Sequence, residues 1–358
     1  MSAQRTWSRR RAIAVASAAA VSAALAAPTG ARAQSPEAFY AGRKMDMVIG
    51  YSPGGTYDLY ARLVARHLSA YIPGAPNIVP RNMPGGGSRT AIAWLYSVAP
   101  KDGSVLGTGD QSLAIAQALG DPQIRFDVTK LIYIGNPAKE NNTTAAWAAS
   151  GVKTIEDARQ REVTVGATGG STSSQYPKAM NALLGTRFKI ILGYPGGNDI
   201  NLAMERGEVA VRGSNSWASW KATRPDWLSE KKINILVQIG LEKSDELPDV
   251  PLLMDLAKNE DDRAVLRLLS SPTAVGRPIF TTPGVPEDRV AVLRKAFDTM
   301  VADPKFREAA KRENFDIDPV SGAELQKVVT EIVNAPAPIR KRLNEIIGAV
   351  EENTSAGK

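Results

Sequence analysis

The chain has 358 residues, more than one small hydrophobic core requires, so two domains are expected. Apolar residues make up 43% of the chain, which is ordinary for a globular protein and argues against disorder. The formal charge of +7 is concentrated at the start, because the first 33 residues carry five arginines and no acid. The remainder has 39 basic against 37 acidic residues, so we expect no nucleic-acid partner.

Residues 1–33 have the layout of an export signal. Three arginines precede a segment rich in Ala and Val, and the letters ARA before Gln34 form a small-x-small cleavage site. The Ser8–Arg10 segment resembles a twin-arginine signal, but the residues after it depart from that pattern, so the general secretory route stays open. A membrane anchor is the weaker alternative, because the apolar segment is short and rich in alanine. We expect a periplasmic protein cleaved near Ala33-Gln34.

The first predicted strand is an apolar run from Met45 to Ile49, and it leads into Pro53-Gly54-Gly55. From Tyr57 to Tyr71, apolar residues recur at the three- and four-residue spacing of one buried helix face. A helix N-terminus presents unpaired N–H groups and a partial positive charge, and glycine lets an anion come close. This junction therefore predicts an anion site.

The same order of strand, glycine loop and helix recurs three times. The loops are Gly85-Gly86-Gly87, whose helix we expect Ser88 to cap, a Gly/Ser/Thr loop around 168–174, and Gly196-Gly197. Gly185 and Gly207 are expected to close the last two helices. Further strands are predicted at Ser104–Gly107, Leu131–Ile134, Val209–Arg212 and Ile233–Ile239, and the chain becomes mostly helical from about Pro286. This alternation predicts α/β layers with mainly parallel sheets.

Several chemistries are excluded by residue type. The chain has no cysteine and a single histidine, His67, which rules out thiolate chemistry and multi-histidine zinc sites. No G-x-S-x-G elbow occurs, Gly87 is followed by Ser88-Arg89 rather than the Lys-Ser/Thr of a P-loop, and no loop has G-x-G-x-x-G. We therefore expect no catalytic residue, no cofactor and no metal. What remains is a set of backbone N–H nests that suit a carboxylate or another small anion.

At this point the motifs resemble the tripartite tricarboxylate transporter receptors, the TctC- or Bug-type solute-binding proteins. The segment VIGYSPGGTYDLYARLVARHL is similar to the family's strand followed by P-G-G-x-x-D and A-R. RNMPGGGS, YSVAPKDGSVLGTG, GYPGGNDINLAMERGEV, LPDVPLL and FTTPGVP resemble further family segments in the same order. The resemblance runs from about Met45 to about Leu325.

The resemblance implies a periplasmic binding protein-like type II fold with two α/β lobes around a ligand cleft. Lobe 1 would combine 34–137 with 243–358, and lobe 2 would be 138–242, with crossings near Pro137 and Glu242. The implied function is capture of a small organic carboxylate and its delivery to a two-subunit membrane permease of the tripartite tricarboxylate type. We expect a monomer. A sensor presenting a carboxylate to a membrane signalling partner is an open alternative, and an exported enzyme is a weaker one that lacks a nucleophile–base pair.

The ligand-binding positions expected from the glycine loops and the resemblance are spread over three segments. They are Tyr51, Ser52, Gly54, Gly55, Thr56, Tyr57, Asp58, Ser171, Thr172, Ser173, Tyr194, Gly196, Gly197, Asn198, Asp199, Asn215 and Trp217.

The roles of three of these positions, and of Arg212 beside them, stay open. Asp58 and Asp199 could each cap a helix or contact a ligand or its water. Trp217, with Trp220 and Trp227, could form an aromatic wall for an aryl carboxylate or serve packing alone. Arg212 could pair with a second carboxylate or face the surface.

Overall fold

The computed structural model describes residues 34–139 and 141–348, so the predicted export signal lies outside the described residues. The strands are β1 (Lys44–Ile49), β2 (Asn77–Asn82), β3 (Val105–Thr108), β4 (Ile132–Asn136), β5 (Asn142–Trp147), β6 (Val163–Gly166), β7 (Phe188–Ile191), β8 (Val211–Ser216), β9 (Ile233–Ile239), β10 (Ile279–Thr281) and β11 (Val320–Ser321).

The helices in the first two thirds of the described chain are α1 (Pro36–Tyr40), α2 (Thr56–Leu68), α3 (Arg89–Ser97), α4 (Leu113–Ala118), α5 (Ile155–Gln160), α6 (Thr172–Ala179), α7 (Gly197–Glu205), α8 (Trp217–Thr223) and α9 (Pro225–Ser229). The C-terminal third is helical as predicted, with α10 (Glu260–Ser270), α11 (Glu287–Ala302), α12 (Pro304–Arg312), α13 (Gly322–Val333) and α14 (Ala337–Gly348).

The strands form two sheets with the same internal arrangement. One has the order β11-β4-β10-β3-β1-β2 and the other β7-β6-β8-β5-β9. In the six-stranded sheet β10 lies between β4 and β3, and in the five-stranded sheet β5 lies between β8 and β9. Each is the first strand that the chain adds after it crosses from the other lobe. The two inserted strands make four antiparallel pairings and β11 pairs antiparallel with β4, so the sheets hold four parallel and five antiparallel pairings. The sheets are therefore mixed, which corrects the prediction of mainly parallel sheets.

The strand pattern also separates the two lobes along the chain. The five-stranded sheet is built between Asn142 and Ile239, whereas the six-stranded sheet uses strands before and after that stretch. The boundaries at Pro137 and Glu242 stay a prediction. The C-terminal helix α14 contacts α6, and Lys178 Nζ of α6 donates a hydrogen bond to Ile347 O at 3.0 Å.

Most predicted elements form close to their expected bounds, and two local predictions need correction. The strand expected at Val209–Arg212 runs instead over Val211–Ser216, because it pairs with β5 up to its last residue. Ser88 occupies the N-cap of α3 with φ 72°, but its hydroxyl donates to Gly50 O at 3.2 Å instead of capping the helix. Gly185 closes its helix in the left-handed region, as predicted.

Apolar side chains of the two sheets and their helices form the core. One buried cluster spans both lobes, a second lies under α2, α11 and α12, and a third surrounds Trp220 and Trp227. Within residues 34–139 and 141–348, no helix is both long enough and apolar enough to cross a membrane.

Candidate functional site

A cavity of about 70 Å³ lies between the two lobes, at the carboxyl ends of β1 and β6. By the measure in which one water occupies roughly 10–15 Å³, it has room for about five to seven waters. Residues from both lobes line it: Tyr51, Gly55, Thr56, Tyr57, Asp110, Gln111, Asn142, Thr168, Ser171, Thr172, Ser173, Gly197, Ile200, Arg212, Ser214, Asn215, Ser216, Gly276 and Arg277.

The structure brings together nine of the seventeen predicted ligand-binding residues on this lining. They are Tyr51, Gly55, Thr56, Tyr57, Ser171, Thr172, Ser173, Gly197 and Asn215. The other eight lie off the lining: Ser52, Gly54, Asp58, Tyr194, Gly196, Asn198, Asp199 and Trp217. Several of these hold the glycine loops or the lobes in place, as described below.

Two helices point their first turns at the cavity across the lobes. Gly55 and Gly196 are the N-caps of α2 and α7, and neither helix has a side-chain cap hydrogen bond because glycine carries no side chain. The two starts face each other, since a Cβ built on Gly55 would lie 3.7 Å from Gly197 N. The positive ends of both helices and their N–H donors therefore converge on one small volume.

Asp58 positions the first of these loops. Its Oδ2 accepts the N–H of Gly54 at 3.0 Å, and its Oδ1 accepts Arg62 Nε and Asn82 Nδ2, each at 2.8 Å. Burial by itself would raise the pKa of Asp58, but these hydrogen bonds outweigh it and lower the pKa. Asp58 thus holds the glycine loop through the backbone N–H of Gly54. Its carboxylate is directed at the loop, so Asp58 lies beside the cavity and does not line it.

Arg212 extends from β8 onto the cavity wall, on the same face of the strand as Ser214 and Ser216. Its Nε donates to Ser214 O at 3.1 Å, its Nη1 donates to Asn201 Oδ1 at 2.8 Å, and its guanidinium lies 5.2 Å from the Trp220 ring centre. All these partners are neutral. Arg212 therefore faces the cavity and not the surface, which decides between the two orientations that the sequence left open.

Burial lowers the pKa of Arg212 to about 9, and repulsion from Arg224 and Arg277 adds to the effect. An anion bound beside the guanidinium would offset both the burial and the repulsion, and would so raise the pKa of Arg212. Arg212 as a whole residue is 7% exposed, so such an anion would be held away from bulk water.

Arg277 reaches the cavity from the segment just before β10. Its Nη2 donates to Ser216 Oγ on β8, and its backbone N–H donates to Asn136 Oδ1 at 3.0 Å. Its guanidinium lies 4.6 Å from the ring centre of Tyr60 and 5.8 Å from that of Tyr57. Sequence reasoning missed Arg277, and no local motif marks it, because its place depends on how β10 inserts into the first sheet.

Asp110 and Tyr51 form a further polar part of the cavity lining. The Tyr51 hydroxyl donates to Asp110 Oδ2, and Ser112 N donates to Asp110 Oδ1 at 2.8 Å. Tyr51 also stacks on Tyr57, with ring centres 4.8 Å apart. Burial raises the pKa of Asp110 despite these hydrogen bonds, and burial likewise raises the pKa of Tyr51. Asp110 was not predicted, since it follows β3 in a segment without a glycine loop.

Hydrogen bonds join the two lobes around the cavity. Ser52 Oγ donates to Asp199 Oδ2 at 2.7 Å, and the hydroxyls of Thr56 and Ser219 are also hydrogen-bonded to each other. On another side of the cleft, Arg89 Nη1 donates to Gly170 O at 2.7 Å. Asp199 therefore makes a contact between the lobes. It does not line the cavity, where a contact with a ligand would have to lie.

The tryptophans lie away from the cavity. Trp217 Nε1 donates to Glu246 at the surface, whereas Trp220 and Trp227 are buried in the third core cluster. The lining given above contains none of these rings, because α8 carries Trp217 to the surface and Trp220 to the core, and α9 carries Trp227 to the core. Of the two roles left open, the aromatic wall for an aryl carboxylate is therefore not formed.

The described residues contain no candidate metal site, and their one histidine lies away from the cavity. They contain no group of three His, Cys, Asp or Glu side chains that could hold a metal ion. His67 packs edge-on against Phe306, with ring centres 5.4 Å apart, at the far end of α2 from the cavity.

Comparison with known proteins gives one curated relative and several similar solved structures. No protein-family profile matches the chain. A curated protein of Cupriavidus necator, described as the UPF0065 protein in the gbd 5′ region, is 28% identical over 321 residues, which cover 87% of this chain and 90% of that protein.

Solved structures resemble the chain over most of its length. The periplasmic binding protein BugD has a TM-score of 0.68 at 19% identity, covering 86% of this chain and 99% of BugD. MatC from Rhodopseudomonas palustris with bound malate has a TM-score of 0.66 at 19% identity, covering 85% and 99%. Another R. palustris protein with adipate has a TM-score of 0.66 at 18% identity, covering 86% and 97%.

Of these three, BugD is named as a periplasmic binding protein. The predicted fold, two α/β lobes around a ligand cleft, is confirmed, and the resemblance read from the motifs agrees with it.

Proposed function

We propose that this chain is a periplasmic solute-binding receptor that captures a small organic carboxylate and delivers it to a two-subunit membrane permease of the tripartite tricarboxylate type. The observation that carries the proposal is the cavity between the lobes in which the starts of α2 and α7 face each other beside Arg212. Uncapped N–H groups, positive helix ends and a guanidinium together favour an anion.

The size of the cavity and the relatives support a carboxylate of modest length. Space for about five to seven waters suits a small organic acid better than a nucleotide or a peptide. Two structural neighbours are described with malate and with adipate, both organic acids. A periplasmic location is supported by the neighbour named as a periplasmic binding protein and by the export signal predicted in residues 1–33.

The binding mechanism follows from which lobe supplies each group. A carboxylate oxygen between Gly55 and Gly197 would accept N–H bonds from α2 of one lobe and α7 of the other. Because both lobes contact the same anion, binding stabilises the arrangement in which Ser52 and Asp199 are hydrogen-bonded. No bond in the ligand is broken, and opening of the lobes releases it unchanged.

The deciding experiment combines mass spectrometry and calorimetry on protein purified from the periplasm. Native mass spectrometry should detect a co-purified carboxylate, and calorimetry on ligand-stripped protein should show one-to-one binding. The same sample should begin at Gln34 by N-terminal sequencing. Failure of a broad panel of carboxylates to bind, or conversion of the bound acid into a product, would overturn the proposal.

Delivery to a permease is tested in cells. Deleting the gene should abolish uptake of the identified carboxylate, and the wild-type gene supplied in trans should restore it. Intact uptake combined with a lost transcriptional response to the carboxylate would favour a sensor partner over a transporter.

A further inference from the structure

The loop 85–87 lies at the boundary between the lobes and not in the ligand cavity, although it follows a strand and precedes a helix like the other glycine loops. None of its three glycines lines the cavity. A Cβ built on Gly87 would lie 2.9 Å from Gly169 O of the other lobe, and the backbone of Gly87 is left-handed, with φ +59°. Glycine at this position therefore lets two glycine loops from different lobes meet through their backbones.

Arg89, at the start of α3, connects the two lobes at this boundary. Its Nη1 donates to Gly170 O of the other lobe at 2.7 Å and to Gly86 O of its own lobe at 2.9 Å. Its Nη2 forms a salt bridge with Asp121, which also belongs to its own lobe. Arg89 is 6% exposed, so water competes little for these bonds. Because its own lobe orients the guanidinium, only the bond to Gly170 depends on closure of the lobes.

The stability of α3 does not explain an arginine at this position. Arg89 is the first residue of α3, where a positive charge is opposed by the partial positive charge of the helix start. Its buried Nε also has no hydrogen-bond partner among residues 34–139 and 141–348, which costs further stability. Both features are unfavourable for the helix itself, whereas the bond to Gly170 gives Arg89 a role between the lobes.

The bond to Gly170 holds a loop that lines the ligand cavity. Gly170 directly precedes Ser171, the N-cap of α6, and Thr168, Ser171, Thr172 and Ser173 all line the cavity. Within this loop, Thr168 N donates to Ser173 Oγ and Ser171 Oγ donates to Thr168 O, both at 2.9 Å. Because these bonds join the loop into one unit, a bond at Gly170 O fixes the whole loop relative to the other lobe.

We propose that Arg89 is a positioning residue that couples closure of the lobes to the placement of the cavity-lining loop 168–174. When the lobes close, Arg89 binds Gly170 O and fixes this loop; when they open, water replaces the bond. Arg89 does not line the cavity, so it acts through Gly170 and not by contact with a ligand. The inference rests on the proposed function, in which the closed cleft captures a ligand.

The test measures closure of the lobes in the ligand-free protein. The chain has no cysteine, so Arg125→Cys and Leu192→Cys attach one spin label to each lobe, at two exposed positions. Pulsed electron paramagnetic resonance then gives the distribution of distances between the labels. Arg89→Gln should lower the ratio of closed to open molecules about tenfold, the effect of one lost hydrogen bond from a charged donor.

A second readout separates positioning from a general loss of stability. Hydrogen–deuterium exchange of the amides in 168–174 should become about tenfold faster in Arg89→Gln, although the substitution lies in the other lobe. Exchange in β3, which belongs to the same lobe as Arg89, should change less than about threefold. A purely structural role of Arg89 would instead raise exchange in its own lobe.

Further variants test the arrangement around the guanidinium. Asp121→Asn removes the charge that orients Arg89, so it should lower the closed-to-open ratio about threefold, and it should have no further effect in Arg89→Gln. Arg66→Gln is the matched control, because it removes a positive charge from an exposed pair with Glu313 within one lobe. A single ammonium cannot reproduce the two-sided donation to Asp121 and Gly170. Arg89→Lys should therefore behave like Arg89→Gln, and it replaces that variant if the latter does not fold.

The outcomes separate this inference from the proposed function. An unchanged distance distribution in folded Arg89→Gln, or in Arg89→Lys where it replaces that variant, overturns the inference and leaves the carboxylate receptor intact. Faster exchange in the lobe of Arg89 with no change in 168–174 overturns it as well. Failure of every carboxylate to bind in calorimetry overturns the proposed function, whatever the distances show.

Discussion

A single methyl group at residue 197 should weaken ligand binding without weakening the fold. Gly197 is the first residue of α7, and a Cβ built there would overlap the Arg212 guanidinium at Nη2. Its backbone is not in the left-handed region, so alanine introduces no backbone strain. Alanine is favoured over glycine by up to about 1 kcal/mol in a helix interior and by less at this first position. Because displacing the buried Arg212 guanidinium opposes that gain, the free energy of unfolding of Gly197→Ala should stay within about 1 kcal/mol of the wild-type value.

The size of the effect follows from the interaction that is lost. The methyl displaces Arg212 Nη2 from the start of α7, where we propose that it donates to a ligand oxygen. One hydrogen bond to a charged group is worth about 1.5–3 kcal/mol, which corresponds to roughly 10- to 150-fold weaker binding. The charge itself remains, so complete loss of binding is not expected.

Calorimetry with the identified carboxylate measures the change in affinity, and urea unfolding without ligand measures stability. Gly169→Ala is the matched control, because nothing lies within 4 Å of its added Cβ and its backbone is not left-handed. Wild-type affinity in folded Gly197→Ala would refute the assignment of Arg212 as a ligand partner. Equal losses of affinity and stability would show that the substitution acts through the fold.

Two further predictions concern acidic residues beside the cavity. The folded pKa of Asp58 is lowered, so its contribution to stability is present above the unfolded pKa of about 3.9 and is lost as the pH falls through the lower folded value. The free energy of unfolding of Asp58→Asn should therefore be about 1–3 kcal/mol lower than that of the wild type at pH 7, and it should fall less steeply below about pH 4. Urea unfolding across pH measures both effects, and parallel pH curves for the two proteins would contradict this prediction. Asp199→Ala removes the hydrogen bond from Ser52 across the lobes, and X-ray scattering of the ligand-free protein should show a larger radius of gyration; an unchanged radius would mean that this bond does not hold the lobes.

The amino-acid sequence by itself determined the local architecture around the site. The order of strand, glycine loop and helix predicted where α2 and α7 begin, and the start of each helix lies within one residue of its glycine pair. This information is local, because apolar periodicity and glycine position depend on neighbours a few residues apart. The order of motifs likewise identified the two-lobed fold.

Only the tertiary structure decided which side chains reach the cavity. Arg212, Asp110 and Arg277 come from segments far apart in the chain. They meet because β10 inserts into a sheet built mainly from earlier strands, β5 inserts between β8 and β9, and the two lobes face each other. Those insertions also made the sheets mixed. Asp199 and Trp217 carry suitable chemistry in the sequence, yet one contacts Ser52 across the lobes and the other Glu246 at the surface. The direction of a side chain depends on long-range strand pairing and helix packing, which no short window of sequence contains.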